Sequence, residues 1–180
     1  KHAFEKQWLF YHLWGRLLYN PDESDASLAR AFESRYDGID GSAMLKTWSQ
    51  ASRVPLHLAS FFKGTWDFTL YSEGFLAPWI TGFDDGKSPF ISIEELIRHE
   101  TLDPRYISIA NYCNMMEKRE LPDTSLITPL ELARTVEEEC RQALLMVEAL
   151  ATSESFNSIG NTQAMTSLES ELDDIRSWCR

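Results

Sequence analysis

The chain has 180 residues, of which 43% are hydrophobic and 25% are charged, and this balance is typical of a globular rather than a disordered protein. Its formal net charge of −11 argues against nucleic acid and anionic membranes as partners, because both require clustered Lys and Arg. No stretch of about 18 apolar residues occurs, so no segment is expected to span a bilayer.

The first predicted helix covers residues 2–19 and carries two sets of apolar residues. These sets are Phe4, Trp8, Tyr11 and Leu18, and Leu9, Leu13 and Leu17. Apolar residues on more than one side of a helix favour a central position in the core. The alternative is an exposed aromatic platform formed by Trp8, Phe10, Tyr11 and Trp14.

The second predicted helix covers residues 26–36, with Asp25 as its N-cap. Gly38 and Gly41 follow, and we expect both in left-handed backbone because glycine adopts it without steric cost. A turn is therefore predicted between the second helix and the next.

The third predicted helix is capped by Ser42 and runs to about Arg53. Pro55 interrupts the pattern because proline lacks the amide hydrogen that a helix interior needs. A further helical piece is expected after it as a kinked continuation.

Residues 63–89 contain glycines and prolines spread among aromatic residues, and they predict an irregular loop region. Within it, Trp66 and Tyr71 offer flat rings that stack on sugar C–H groups, and Asp67 and Glu73 offer carboxylates that accept hydroxyl hydrogen bonds. These four residues form a candidate carbohydrate-binding site in a segment predicted to be extended. The alternative is an aromatic loop that fills the core.

Two short helices are predicted next. Ser92 and Glu95 form a capping box for the first of them. Asp103 and Pro104 supply a cap and a first-turn proline for the second, which is expected to end near Glu117.

A pair of long helices is predicted at the end of the chain. Thr128, Pro129 and Glu131 combine an N-cap, a first-turn proline and a capping-box glutamate, and Thr162 caps the last helix. Apolar residues follow helical spacing in both: Leu130, Ala133, Val136, Cys140, Ala143, Val147 and Leu150, then Met165, Leu168, Leu172, Ile175 and Cys179. Two matched stripes joined by a short loop predict an antiparallel hairpin over residues 128–179.

The sequence therefore predicts an all-α protein, an orthogonal or up-down helical bundle in a single domain over residues 1–180. Residues 1–120 are its helical core, and the hairpin completes it. Because the first residues already have an amphipathic helical pattern, we expect Lys1 to lie inside a longer protein.

No catalytic residue, metal site or cofactor is predicted in these 180 residues. Nucleophile-elbow, dinucleotide and P-loop motifs are absent from the sequence. Glu95 and His99 are interpreted as a surface pair, since half of a metal site has no second half. The histidines are scattered over four segments: His2, His12, His57 and His99.

The three cysteines lie far apart and include no CxxC pair. We interpret Cys113, Cys140 and Cys179 as small apolar side chains. A bridge between Cys140 and Cys179 stays open, because the two helices that carry them can pair.

The segment LWGRLLYNPDESDASLARAF resembles the helical C-terminal regions of large bacterial glycoside hydrolases, including xylan-processing α-glucuronidases. An aromatic-Gly-Arg-Leu run followed by an aromatic-Asn-Pro-Asp turn carries the resemblance: Trp14, Gly15, Arg16, Leu17, Tyr19, Asn20, Pro21 and Asp22. WDFTLYSEG and ITPLELARTVEEECRQALLMVEAL are similar to segments of uncharacterised multidomain carbohydrate-active proteins.

The resemblance implies a role beside a catalytic domain. In such enzymes the catalytic carboxylates belong to a preceding (β/α)₈ barrel, and the helical region packs on it, contributing to dimer contacts or to the rim of the substrate cleft. The implied partners are an N-terminal catalytic domain of the same chain, an oligosaccharide and a second copy. The implied location of such a parent enzyme is periplasmic or secreted.

A second hypothesis makes the chain a helical interaction or dimerisation module. In that case the stripes of residues 129–179 pair with another chain, and changing Val136 or Leu172 to Lys abolishes the association.

Overall fold

A computed structural model of the protein describes Glu5, residues 7–63 and residues 93–179. Within these ranges the chain is all-α, as predicted, and extended pairing is limited to isolated bridges. The helices are α1 (Trp8–Tyr19), α2 (Asp25–Arg35), α3 (Gly41–Phe61), α4 (Ile93–Arg98), α5 (Ile109–Lys118), α6 (Pro129–Ala151), α7 (Glu154–Asn157) and α8 (Thr162–Trp178).

The capping box that opens α6 is confirmed. The backbone amide of Thr128 donates to Glu131 Oε2 at 2.8 Å, and the amide of Glu131 donates to Thr128 Oγ1 at 3.2 Å. These hydrogen bonds satisfy amides that have no partner inside the helix. The Thr128 amide and hydroxyl, which both donate to the Glu131 carboxylate, lower the pKa of that carboxyl.

The caps of α2 and α8 each lie one residue earlier than predicted. Ser24, not Asp25, accepts the amide of Ser27. Asn161, not Thr162, accepts the amides at the start of α8. In both places two residues with capping side chains are adjacent, so spacing alone could not choose between them.

The start of α3 depends on close packing at Gly41 rather than on left-handed backbone. Only Gly38 has a positive φ, of 88°, among the described glycines. A Cβ built on Gly41 would lie 2.2 Å from the carbonyl oxygen of Ala29, so only glycine fits. The cap is Asp40, whose Oδ1 accepts from the amide of Ala43 at 2.9 Å, and not Ser42.

Two other predicted boundaries also differ. Pro55 lies inside α3, which continues to Phe61 as one helix. Residues 103–106 form a turn in which Arg105 pairs with Asp103, and α5 begins only at Ile109 with Ser108 as its cap. The short helix α7, between α6 and α8, was not predicted.

The described chain divides into two compact units. Unit 1 contains residues 1–51 and 141–180. Its core joins side chains of five helices, of the loop after α2 and of the loop after α7: Phe32, Tyr36, Ile39, Met44, Val147, Leu150, Phe156, Ile159, Leu168 and Leu172. The apolar stripes of α6 and α8 therefore lie partly in the core of this unit.

The ends of α6 and α8 meet in unit 1. Arg176 Nε donates to Glu148 Oε1 at 2.9 Å. In a tight antiparallel hairpin, Arg176 would lie about 16 Å beyond the point opposite Glu148, given 1.5 Å of rise per residue. The ion pair does not fit the register of a tight antiparallel hairpin, so that hairpin over residues 128–179 is not confirmed.

Unit 2 contains residues 52–140. Its described core consists of Phe61, Tyr106 and Leu132, with Val136 among the partly buried residues packed against it. An ion pair joins Arg53 Nη1 and Glu139 Oε1 at 3.3 Å. The single domain over 1–180 stays a prediction, and the two units divide the chain differently from the predicted parts at 1–120 and 128–179.

Candidate functional site

Helix α1 is attached to unit 1 through its first turns. Trp8 and Leu9 pack against the core, and the Trp8 ring meets Phe32 edge-on with centroids 5.3 Å apart. The Trp8 indole Nε1 donates to Glu171 Oε1 at 3.3 Å. No residue of α1 is fully buried. The expectation of a central core helix is therefore wrong, because apolar spacing does not reveal what covers the apolar side chains.

A network of hydrogen bonds surrounds Trp8. Tyr36 is only 1% exposed. Its hydroxyl donates a hydrogen bond to Glu171 Oε1 at 2.6 Å. Burial first, and then the hydrogen bond and the negative charge of Glu171, raise the pKa of Tyr36 to about 12. Arg35 stacks over the Trp8 ring at 4.6 Å and donates to the Tyr36 hydroxyl. One carboxylate thus ties α8 to both α1 and α2.

A groove of about 390 Å³ lies between α1 and α2, and we call it the arginine groove. It is lined by Trp8, His12, Arg16, Ser27, Arg30, Ala31, Ser34 and Arg35. Three guanidinium groups and no carboxylate line it, although the chain has 28 acidic and only 17 basic residues. Its lining is therefore opposite in charge to the protein as a whole.

The three arginines differ in how they are held. Arg16 donates to Ser27 Oγ at 3.1 Å and lies 3.6 Å from Glu23. The pKa of Glu23 is lowered, chiefly by a hydrogen bond with Ser27; burial opposes this, and the charge of Arg16 lowers the pKa further. Arg35 donates to a phenol and to the Glu5 carbonyl. Arg30 donates no hydrogen bond within the described part of the chain, and its charge, like that of Arg16, helps to lower the pKa of Glu23.

The groove also includes a histidine whose hydrogen bonding is incomplete. Nε2 of His12 is buried and has no hydrogen-bond partner among the described residues. A buried polar atom without a partner destabilises a protein by roughly 1–3 kcal/mol. Such an atom therefore marks a position where packing alone does not explain the residue.

The other side of α1 is apolar and exposed, and we call it the outer face. It consists of Phe10, Tyr11, Trp14, Leu17 and Leu18, together with Tyr19, which is exposed at the C-terminal end of the helix. Phe10 touches Tyr11 and Trp14 edge-to-face, at centroid distances of 5.4 and 5.1 Å. Trp14 remains 54% exposed and Tyr19 remains 94% exposed. Contiguous exposed aromatic side chains of this kind usually mark an interaction surface.

Gly15 lies in the middle of α1, beside this face. A Cβ added there would meet nothing within 4 Å among the described residues. Glycine inside a helix costs about 1 kcal/mol relative to alanine. Neither backbone strain nor crowding within unit 1 requires it, but close approach of another backbone would.

The predicted carbohydrate site lies outside the described residues. This applies to Trp66, Asp67, Tyr71 and Glu73, and to the predicted extended segment that contains them. The prediction for these residues therefore stays a prediction, as does the alternative that they fill the core.

Metal and disulfide chemistry have no assembled site in the described ranges. No group of three or more His, Cys, Asp or Glu residues there could hold a metal ion. Cys113, Cys140 and Cys179 form no disulfide, and Cys113 is exposed. The open alternative of a bridge from Cys140 to Cys179 is therefore not realised.

The arginine groove was not predicted from the sequence, although the spacing of its residues carried a signal. His12 and Arg16 are four residues apart on α1, and Arg30 and Ser34 are four apart on α2. Such pairs share a helix face. What the spacing could not provide is that the two faces meet.

None of the described helices is both long and apolar enough to cross a membrane. No protein-family model, curated protein or solved structure matches the chain. The two candidate functional surfaces are the arginine groove and the outer face, on the two sides of α1.

Proposed function

We propose that the chain is a non-catalytic helical accessory domain of a carbohydrate-active enzyme. In this proposal the outer face of α1 packs against the catalytic domain that precedes it in the same polypeptide. The observation that carries the proposal is the outer face itself, which places six large apolar side chains in contact with solvent on one helix of 12 residues. Burial of apolar surface contributes about 25 cal/mol per Å², so covering this face is strongly favourable.

The outer face overlaps the segment that resembles glycoside hydrolases. Trp14, Leu17 and Tyr19 belong both to the resemblance and to the exposed face. Gly15, also part of the resemblance, leaves space for a neighbouring backbone. Several of the residues that carry the resemblance are thus exposed on unit 1, as expected for an interdomain contact.

The geometry of the aromatic rings favours a protein partner over a sugar on this face. Phe10 and Trp14 are nearly perpendicular, with an interplanar angle of 82°. Stacking on a pyranose needs a flat, accessible ring, whereas an irregular aromatic ridge suits packing into a complementary protein surface. Glycan contact is therefore proposed for Trp66, Asp67, Tyr71 and Glu73, at the rim of the enzyme's cleft.

The docking proposal can be tested by thiol labelling. Leu18→Cys, at a position 74% exposed, is compared in residues 1–180 and in a chain extended by the residues encoded before Lys1. We expect labelling at residue 18 to fall at least about tenfold in the longer chain, because a docked face excludes reagent. The exposed Cys113 of the same molecule is the internal control.

Equal labelling of residue 18 in both chains would contradict docking by the outer face. If the extension encodes no further domain, the accessory-domain proposal also fails. Reduced labelling at both residue 18 and Cys113 would indicate a general loss of access and would not support a specific contact.

The glycan role is tested by titrating the chain with xylo-oligosaccharides and following tryptophan fluorescence. We expect a saturable change that disappears in Trp66→Ala and persists in Trp178→Ala, a variant of an exposed tryptophan on α8. No response in the unmodified chain would contradict a binding role for Trp66 and Tyr71.

The alternative is a helical interaction or dimerisation module, and the outer face favours it equally if a second copy is the partner. The hairpin stripe is a weaker candidate for that contact, since Leu168 and Leu172 are at most 1% exposed. Sedimentation velocity over a concentration series separates the two proposals. A dimer that dissociates in Trp14→Lys but not in Leu121→Lys, another exposed position, would favour the dimer.

A further inference from the structure

We infer that the arginine groove is a binding site for a small organic anion, held by its phosphate or carboxylate group. This site is on the opposite side of α1 from the outer face, and its function does not depend on the docking proposal. The inference rests on the charge of the groove, its size and two groups whose interactions are incomplete.

Charge is the first argument. The lining brings Arg16, Arg30 and Arg35 together in a chain with a net charge of −11. Like charges repel, and clustering of guanidinium groups is unfavourable unless an anion lies among them. Glu23 lies beside Arg16 and also interacts with the charge of Arg30, but it is not part of the lining. An oxyanion in the groove would add negative charge that the lining itself does not provide.

Geometry is the second argument. A guanidinium group presents a planar fork of donors that matches the oxygens of phosphate or carboxylate. Arg16 and Arg35 are held in place by Ser27 and by the Trp8 ring, so little ordering is left for binding. Arg30 is exposed, and although its charge also acts on Glu23, its donors form no hydrogen bond in the described ranges and are available to a ligand.

The unpartnered histidine nitrogen is the third argument. His12 Nε2 is the one buried side-chain nitrogen or oxygen of the described residues that lacks a hydrogen bond. It belongs to a residue that lines this same groove. A small side-chain movement would let it donate to a bound oxyanion, which would explain why a polar residue occupies the position.

Size selects the kind of anion. A groove of about 390 Å³ is in the range of small-molecule sites and exceeds what a bare inorganic ion fills. A neighbouring cavity of about 310 Å³ includes Glu5 in its lining together with Arg35, so it lacks the uniform charge that would select an anion. The arginine groove is therefore the site that we assign to an acidic small molecule.

The test is an NMR titration of the whole chain with glucose 6-phosphate, citrate and inorganic phosphate at constant ionic strength. Glucose is the uncharged control. We expect saturable shifts of the Trp8 indole and the arginine side-chain signals, with dissociation constants of about a millimolar or lower for the organic anions. Comparing the phosphate ester with citrate identifies the preferred anionic group.

Three variants test the role of the groove. Arg30→Gln should weaken binding about tenfold or more, because a charge-assisted hydrogen bond is lost. Arg30→Lys keeps the charge without the fork and should retain part of the affinity. Arg134→Gln, at an exposed arginine of unit 2, makes the same charge change elsewhere and should leave binding unchanged.

Two results would overturn the inference. One is the absence of saturable binding by any of the three anions. The other is equal weakening by Arg30→Gln and Arg134→Gln, which would indicate nonspecific attraction to the protein's charge. His12→Phe should also weaken binding without lowering the melting temperature, and unchanged affinity in that variant would remove His12 from the site.

Discussion

Helices α1 and α8 have apolar residues at helical spacing, but the two helices use them differently. Leu168 and Leu172 of α8 are buried in the core of unit 1. Leu17 and Leu18 of α1 are 40% and 74% exposed. Periodicity therefore predicts that a helix face is to be covered, and it does not predict whether the same unit or another molecule covers it. The difference between these helices is the main reason to place function on α1.

Leucines on the two helices are expected to contribute unequally to the free energy of unfolding. Leu172→Ala should reduce the free energy of unfolding by about 2–5 kcal/mol, because it removes buried methyl groups and leaves a cavity. Leu18→Ala should change it by less than about 0.5 kcal/mol, as expected for an exposed site. Urea denaturation followed by circular dichroism measures both, and a large loss in Leu18→Ala would contradict the exposed position of the outer face.

The attachment of α8 to α1 and α2 has its own signature at alkaline pH. The folded pKa of Tyr36 is raised from 10 to about 12, so its stabilising contribution is complete below pH 10 and is lost as the pH rises towards 12. A shift of this size corresponds to about 2 kcal/mol for a partly screened group. Tyr36→Phe lacks this titration, so its stability deficit relative to the natural chain should shrink between pH 10 and 12 in parallel melting curves. A deficit that stays constant over this range would contradict the assignment.

Adding a single methyl group is expected to have opposite effects on stability at Gly41 and at Gly15. Gly41→Ala should destabilise unit 1 by about 1–3 kcal/mol, because the new Cβ collides with the Ala29 carbonyl. Gly15→Ala should stabilise the chain by about 0.5–1 kcal/mol, since the position is helical and open. Thermal denaturation of both variants decides the point, and a destabilised Gly15→Ala would indicate that α1 is already covered at this position.

Much of the helical fold could be predicted from the sequence, and the reasons are local. The Thr128, Pro129 and Glu131 signal gave the start of α6 because a capping box depends only on neighbouring residues. The early start assigned after Asp103 was wrong because Arg105 draws the Asp103 carboxylate into a turn. Adjacent cap candidates at Ser24 and Asp25 produced an error of one residue.

The candidate sites could be predicted less well because they depend on distant contacts. Arg16 and Arg30 are ordinary helix residues until α1 and α2 pack side by side. The exposure of Trp14 follows from which side of α1 meets the core, and both sides are apolar in sequence. Trp66 and Glu73, on which the carbohydrate prediction depends, lie outside the described residues.

The exposure of the outer face affects how the protein is expected to behave in a cell. Aromatic side chains such as Phe10 and Trp14, left in contact with water, are the kind of surface that promotes aggregation at high concentration. They are also what quality-control chaperones bind. If another domain or chain covers α1, as proposed, a copy without that partner is expected to be retained or degraded, and its abundance would follow that of the partner.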